Sequence, residues 1–315
     1  MAERDLIEQL DQAIGGTAFA VGPEVTSLLR VAGFVRELPN QDFRARLKRE
    51  LLKETMMIAP VTTFKREGFR SLTPYLLAPQ SARLMDFMKD VFGVTERLKV
   101  PRPDGSIMHA EIMIGDSMIE MGENPPDQFA ARPTPLHVYI PDVDAAYARA
   151  LAAGATSLGA PMDHEYGERG ASVKDAAGNH WYLATASGPS PVPEGLHSVN
   201  IYLSPSGTPS LIDFLTRAFG AEETMRHEIE GTVVHAKVRI GDSILEMGEA
   251  HGQYGPMPCA IHLYVPDADA TYSQAVAAGA TSINAPADTP YGDRYAAVTD
   301  PHGNQWYIAT WLGQA

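Results

Sequence analysis

Histidine and glutamate stand at matched positions in two distant parts of this chain. His109 and His137 recur as His235 and His262, and Glu120 recurs as Glu246. The Gly115-Asp116 pair lies between two apolar runs and suits a two-residue hairpin turn. Such a turn sets Glu120 opposite Glu111, and the two-residue period of a strand puts His109 on the same face. Imidazole beside carboxylate supports two kinds of chemistry. Together they ligate divalent Fe, Zn, Ni or Mn. They also move protons, with Glu120 and Glu246 as bases and histidine as acid, where burial shifts their pKa values. The structural alternative is a histidine that anchors a hairpin and a glutamate that accepts from a backbone N–H or an arginine.

The elements that position these residues come from a repeat. MHAEIMIGDSMIEMGE (108–123) and VHAKVRIGDSILEMGE (234–249) agree at 10 of 16 positions. HVYIPDVDAAYARALAAGATSLGAP from His137 returns from His262, and YGERGASVKDAAGNHWYLAT from Tyr166 returns from Tyr291. Each copy must solve the same folding problem, and two equal halves form pockets where they meet. The first copy opens with a strand at Thr73–Leu77. A helix follows with Leu84, Phe87, Met88, Val91 and Phe92 on one face, stopping at Gly93. Strands are expected near Glu96–Val100, Ile107–Ile114 and Ser117–Met121. The rhythm restarts with strand Leu136–Ile140 and a helix over 143–153, then strands near Ala171–Lys174 and His180–Ala184. Each copy therefore reads as βαβββ twice, an α+β architecture with four units in all.

The expected domains are a helical segment over 1–66, a first repeat domain over 70–186, a Pro/Gly/Ser linker over 187–195 and a second repeat domain over 196–313. In the first segment Asn40 suits an N-cap, with Phe43, Leu47 and Leu51 on one face and Arg44, Arg46, Lys48, Arg49 and Lys53 among them. A second helix is expected near Val25–Val35. The basic face docks on the acidic repeats or meets an anionic partner.

Net charge is −14, and residues 1–66 carry 10 Lys/Arg against 9 Asp/Glu while the rest carries 15 against 30. The acidic repeats repel phosphate backbones, which argues against nucleic acid as a partner. No apolar run is long enough to span a membrane. The single cysteine, Cys259, and the charged N-terminal stretch favour the cytoplasm. Cys259 lacks a nearby group to stabilise a thiolate and is read as structural, as are the methionines of the EMGE hairpins. The duplication makes a monomer sufficient, with a homodimer as the alternative.

The ordered motifs HAxxxIGDSxxEMGE, YxPDxDAxYxxAxAAGAT and YGxRxAxVxDxxGNxWYxAT, each present twice, resemble the vicinal oxygen chelate superfamily and its PhnB-like branch. That superfamily includes glyoxalase I, bleomycin-resistance proteins and extradiol dioxygenases. The resemblance implies paired βαβββ units curled into cup-like half-barrels, a small-molecule ligand and, in many members, one divalent metal per site. The metal-ligand positions it implies fall on Thr73 and Asn200, Glu120 and Glu246, Pro135 and Ala260, and Tyr182 and Tyr307. Only the glutamates match, because the other residue types are poor ligands. It also turns His137 and His262 toward a cup, which suggests the sets His109, Glu120, His137 and His235, Glu246, His262. Grouping across copies stays open.

Two functions follow from these residues. One is a metal-assisted lyase, isomerase or dioxygenase acting on neighbouring oxygens. The other is a metal-free pocket that sequesters a small molecule. Arg169 and Arg294 either face a ligand carboxylate or phosphate or pair with acids such as Glu168 and Asp293. Trp181, Tyr182, Trp306 and Tyr307 are expected to line the core or the pocket wall.

Overall fold

The computed structural model describes residues 64–123 and 131–313. The expected helices near Val25–Val35 and after Asn40 lie outside the described residues. The first βαβββ unit holds β1 (Leu72–Leu77), α1 (Ser81–Phe92), β2 (Thr95–Pro101), β3 (Ile107–Ile114) and β4 (Ser117–Gly122). The second holds β5 (Pro135–Tyr139), α2 (Val143–Ala152), β6 (Thr156–His164), β7 (Glu168–Lys174) and β8 (His180–Ala186). The third holds β9 (Val199–Leu203), α3 (Thr208–Phe219), β10 (Glu222–Ile229), β11 (Thr232–Ile240) and β12 (Ser243–Met247). The fourth holds β13 (Ala260–Tyr264), α4 (Ala268–Ala277), β14 (Thr281–Asp288), β15 (Asp293–Thr299) and β16 (Gln305–Trp311). Strand β6 is hidden in the sequence pattern. Gly159 and Pro161 interrupt it, and its register against β7 shifts twice. An edge strand tolerates both residues.

The strands form two eight-stranded sheets, and each sheet takes one unit from each copy. The first runs β14-β15-β16-β13-β1-β4-β3-β2 and joins unit one to unit four. The second runs β10-β11-β12-β9-β5-β8-β7-β6 and joins unit two to unit three. The seams are antiparallel: β1 meets β13 with Thr73 opposite His262, and β5 meets β9 with His137 opposite Asn200. All four edge strands are the most exposed in their sheets, and β2 and β10 carry charge along their length. Charge on an open edge discourages pairing with other chains.

One face of each sheet packs against helices in a continuous apolar core. Leu84, Met85, Phe87, Met88 and Val91 of α1 enter it, as do Leu211, Phe214 and Leu215 of α3. The repeated motifs supply its fixings. Asp142 and Asp267 cap α2 and α4 by accepting from Ala145 N and Ala270 N at 2.9 Å each. The last Glu of each EMGE run caps another helix: Glu123 accepts from Ser81 N at 3.1 Å and Glu249 from Thr208 N at 2.8 Å. Asp175 and Asp300 each accept from an asparagine and a tryptophan in the DxxGNxW run.

The Gly-Asp-Ser turns clasp the opposite sheet. Asp116 Oδ1 accepts from Ser198 N at 2.8 Å, and Asp242 Oδ1 accepts from Ser71 N at 2.7 Å. Gly115 and Gly241 have positive φ, and a Cβ on either would lie 2.1 Å from the Oγ of Ser198 or Ser71. Only glycine suits both the turn and the approach.

Candidate functional site

The matched histidines and glutamates share the face of each sheet turned away from the helices, the face expected to line a cup. In the first cup the β3–β4 hairpin sets Glu111 opposite Glu120 as the turn requires. Strand β1 then lies between β4 and β13, with Tyr75 beside Glu120 and Thr73 beside His262. His262 Nδ1 lies 2.6 Å from Glu120 Oε2, and His109 Nε2 lies 3.3 Å from Glu111 Oε1 and 4.0 Å from Glu120 Oε1. Tyr75 Oη lies 3.0 Å from His109 Nδ1. Arg66 donates to both oxygens of Glu111, at 2.7 and 3.2 Å. Phe69 packs edge-on against His262 and Tyr264, and Tyr264 Oη donates to Asp293.

The second cup repeats the frame with different side chains. His137 Nδ1 lies 2.8 Å from Glu246 Oε2, and His235 Nε2 lies 3.7 Å from Glu246 Oε1. Lys237 takes the place of Glu111, opposite Glu246 in the β11–β12 register. Its Nζ lies 3.2 Å from Glu246 Oε1, within ion-pair distance but not aligned for a hydrogen bond. Glu168 takes the place of Asp293. It accepts from Tyr139 Oη at 2.7 Å and reaches within 3.8 Å of His137 Nε2.

Each suggested set therefore takes its third member from the other copy. His262 joins His109 and Glu120, and His137 joins His235 and Glu246. The reason is the pairing of β1 with β13 and of β5 with β9, which separates sequential units into different sheets.

Burial alone would lower both paired histidines, but the adjoining carboxylates outweigh it. Glu120 raises His262 and Glu246 raises His137 above their ordinary value. Burial works to raise Glu246, yet the His137, Lys237 and His235 charges hold it at about 2. Burial also works on Glu111, and hydrogen bonds from His109 and Arg66 reverse it and keep the carboxyl low. His235 is lowered by burial first, against the pull of Glu246.

Other expected ligand contacts fall elsewhere. Arg169 forks onto Asp144 at 2.6 and 2.7 Å and also meets Asp163, and Arg294 does the same with Asp269 and Asp288. Strand alternation explains this: Glu168 and Asp293 face the cups, so the arginines that follow face the helices. Trp181 and Trp306 also face the helix side, fully buried against Phe92 and Phe219 at 5.0 and 4.6 Å between ring centroids. Tyr182 and Tyr307 lie on the opposite face, with the glutamates, beside Tyr202 and Tyr75 at 5.1 and 5.5 Å. Burial pushes the Cys259 thiol up and keeps it protonated. Missed by the sequence reading were Tyr75, Tyr202, Tyr139, Tyr264, Arg66 and Lys237. The tyrosines had a signal, since they recur at matched positions and two fall two residues after a cup histidine. Arg66 had none, because it stands outside the repeat.

Two fits to a divalent cation can be tested on these residues. The positions implied by resemblance hold Thr73, Ala260 and Tyr307 around Glu120, and they do not make a ligand set. His109, Glu111 and Glu120 could, with one donor atom from each lying within 4.8 Å of the others, although Arg66 already donates to both Glu111 oxygens. Ligands in a tetrahedral shell with bonds of about 2.1 Å sit about 3.4 Å apart, so binding would draw the three donors together and take one Glu111 oxygen from Arg66. His109 would present Nε2 if its Nδ1–H donates to Tyr75 Oη.

The chain matches the family model of the Glyoxalase/Bleomycin resistance protein/Dioxygenase superfamily over residues 73–183 and 202–308. It is 32% identical over 123 residues to uncharacterized proteins of Mycobacterium bovis and Mycobacterium tuberculosis, covering 36% of this chain and 81% and 72% of theirs. In fold it is similar to glyoxalase I from Zea mays, with a TM-score of 0.58 and 16% identity over 76% of this chain and 92% of that one. A putative dioxygenase from Bacillus subtilis aligns with a TM-score of 0.50 and 16% identity over 79% of this chain and 87% of that one. Both structural likenesses speak to the fold alone. With four βαβββ units in two shared sheets and the family model matched in both copies, the chain belongs to the Glyoxalase/Bleomycin resistance protein/Dioxygenase superfamily.

Proposed function

We propose that the first cup binds a small molecule with two neighbouring oxygens through a divalent cation on His109, Glu111 and Glu120, and acts on it as a lyase or isomerase. The observation that carries this reading is the three-donor cluster beside an unused imidazole nitrogen. His262 Nε2 is buried and has no hydrogen-bond partner among the described residues. A bound cation would polarise the ligand's oxygens and stabilise developing negative charge.

The chain's own groups do the rest. Glu120 accepts from His262 Nδ1 and favours the charged ring. That leaves an Nε2–H able to give a proton to a ligand oxygen. Arg66 keeps Glu111 ionised. Tyr75, Tyr295 and Tyr307 supply an aromatic wall that excludes water.

A second reading is a metal-free binding cup. It is favoured by Thr73, Ala260 and Tyr307 at the family's ligand positions and by the imidazole that already partners each buried glutamate. Elemental analysis of the purified protein, with melting curves before and after chelator, separates the two. Bound Fe, Zn, Ni or Mn, lost in Glu120→Gln, supports the metal-assisted reading. No metal, with no response to added divalent ions, removes it and leaves the binding cup, to be screened by ligand-induced thermal shifts.

A further inference from the structure

We infer that the two cups are not equivalent, and that one divalent cation binds per chain, in the cup of units one and four. This rests on the metal-assisted reading and goes beyond it. Glu111 and Lys237 occupy one and the same place in the two hairpins, each directly opposite the buried glutamate of its cup. A carboxylate there completes a three-donor set with His109 and Glu120. An ammonium there has no lone pair to offer, and its charge lies 3.2 Å from the oxygen a cation would need.

Each cup leaves one buried polar atom without a hydrogen-bond partner among the described residues, His262 Nε2 in the first and Glu246 Oε1 in the second, but their charges differ. Lys237, Glu246, His137 and Glu168 form a chain of ion pairs at 3.2, 2.8 and 3.8 Å. Glu168 reaches His137 because it is one methylene longer than Asp293. Asp293 meets Tyr264 instead, and among the described residues His262 Nε2 has no hydrogen-bond partner. The first cup also holds one carboxylate more: Glu111, Glu120 and Asp293 stand with Arg66 and His262, whereas Glu246 and Glu168 stand with Lys237 and His137. In the second, Lys237 and His137 neutralise the buried Glu246 without a cation.

Native mass spectrometry with Zn2+ or Mn2+ added to metal-free full-length protein counts the cations directly. One ion per chain is expected. Glu111→Gln should weaken it at least about 100-fold, since loss of an outer partner alone costs about 10–100-fold. Glu246→Gln should leave it in place. A gain of a second ion in Lys237→Glu would add support, and circular dichroism shows whether that variant is folded. Two ions in the wild type, or loss of the ion in Glu246→Gln but not in Glu111→Gln, overturns the inference while leaving a metal protein. No ion at all overturns the metal-assisted reading itself.

Discussion

Glu246 is a carboxylate with 1% exposure, and its charge depends on the imidazole of His137. The pair has a definite pH signature. Glu246 is lowered from 4.5 to about 2, so its contribution is present above about 4.5 and is lost as pH falls toward 2. His137 is raised above 6.5, so its contribution is full below that value and is lost as pH rises through the folded pKa. Stability from this pair is therefore greatest between about 4.5 and 6.5. Denaturant melts of Glu246→Gln should show a shallower fall in stability between pH 4.5 and 2 than the wild type, because other lowered carboxylates such as Glu111 and Asp242 still contribute. The His137 imidazole, followed by NMR, should then titrate lower. An unchanged His137 titration would remove Glu246 as its partner. The facing of Glu111, Glu120 and His109 was legible in the sequence, because a two-residue turn and a two-residue period dictate it. Which histidine joins Glu120 was not, because His262 is brought from 142 residues away by sheet pairing. The tasks of Arg169 and Trp181 followed from alternation, which puts neighbouring side chains on opposite faces, but the sequence does not say which face is the cup.

At the scale of elements, the motifs that look most like a signature are fixings. Gly-Asp-Ser clasps the other sheet, the final Glu of EMGE caps a helix, and Asp-x-x-Gly-Asn-x-Trp ties a turn to the core. Gly115→Ala and Gly241→Ala should each destabilise the fold by about 1–3 kcal/mol, through positive φ and a contact that must open. The two costs should be similar because the clasps are reciprocal. Urea melts check this, and wild-type stability in either variant would contradict the clasp. Helices and most strands were legible from periodicity, capping and glycine stops. Strand β6 was not, since an edge position lets Gly159 and Pro161 break the pattern.

For the whole molecule, the decisive feature is that neither copy builds a sheet alone. Two seams, β1 with β13 and β5 with β9, join the copies, so the linker is not what holds them. A protease site placed at Gly188 should yield two fragments that co-elute on size exclusion and separate only in denaturant. Fragments that part under native conditions would contradict the shared sheets. Four units were legible from the repeat, but not their partners. Every unit carries the same pairing edges, and only tertiary packing selects among them. The same exchange assembles the first cup, with Glu120 from one copy and His262 from the other.

Co2+ added to the metal-free protein is the most direct test of that cup as a metal centre. The expected result is visible d–d absorption bands together with a raised melting temperature, both absent in Glu120→Gln and both retained in Glu246→Gln. A wild-type protein that takes up no Co2+, with neither bands nor stabilisation, would contradict the assignment of His109, Glu111 and Glu120 as a metal site.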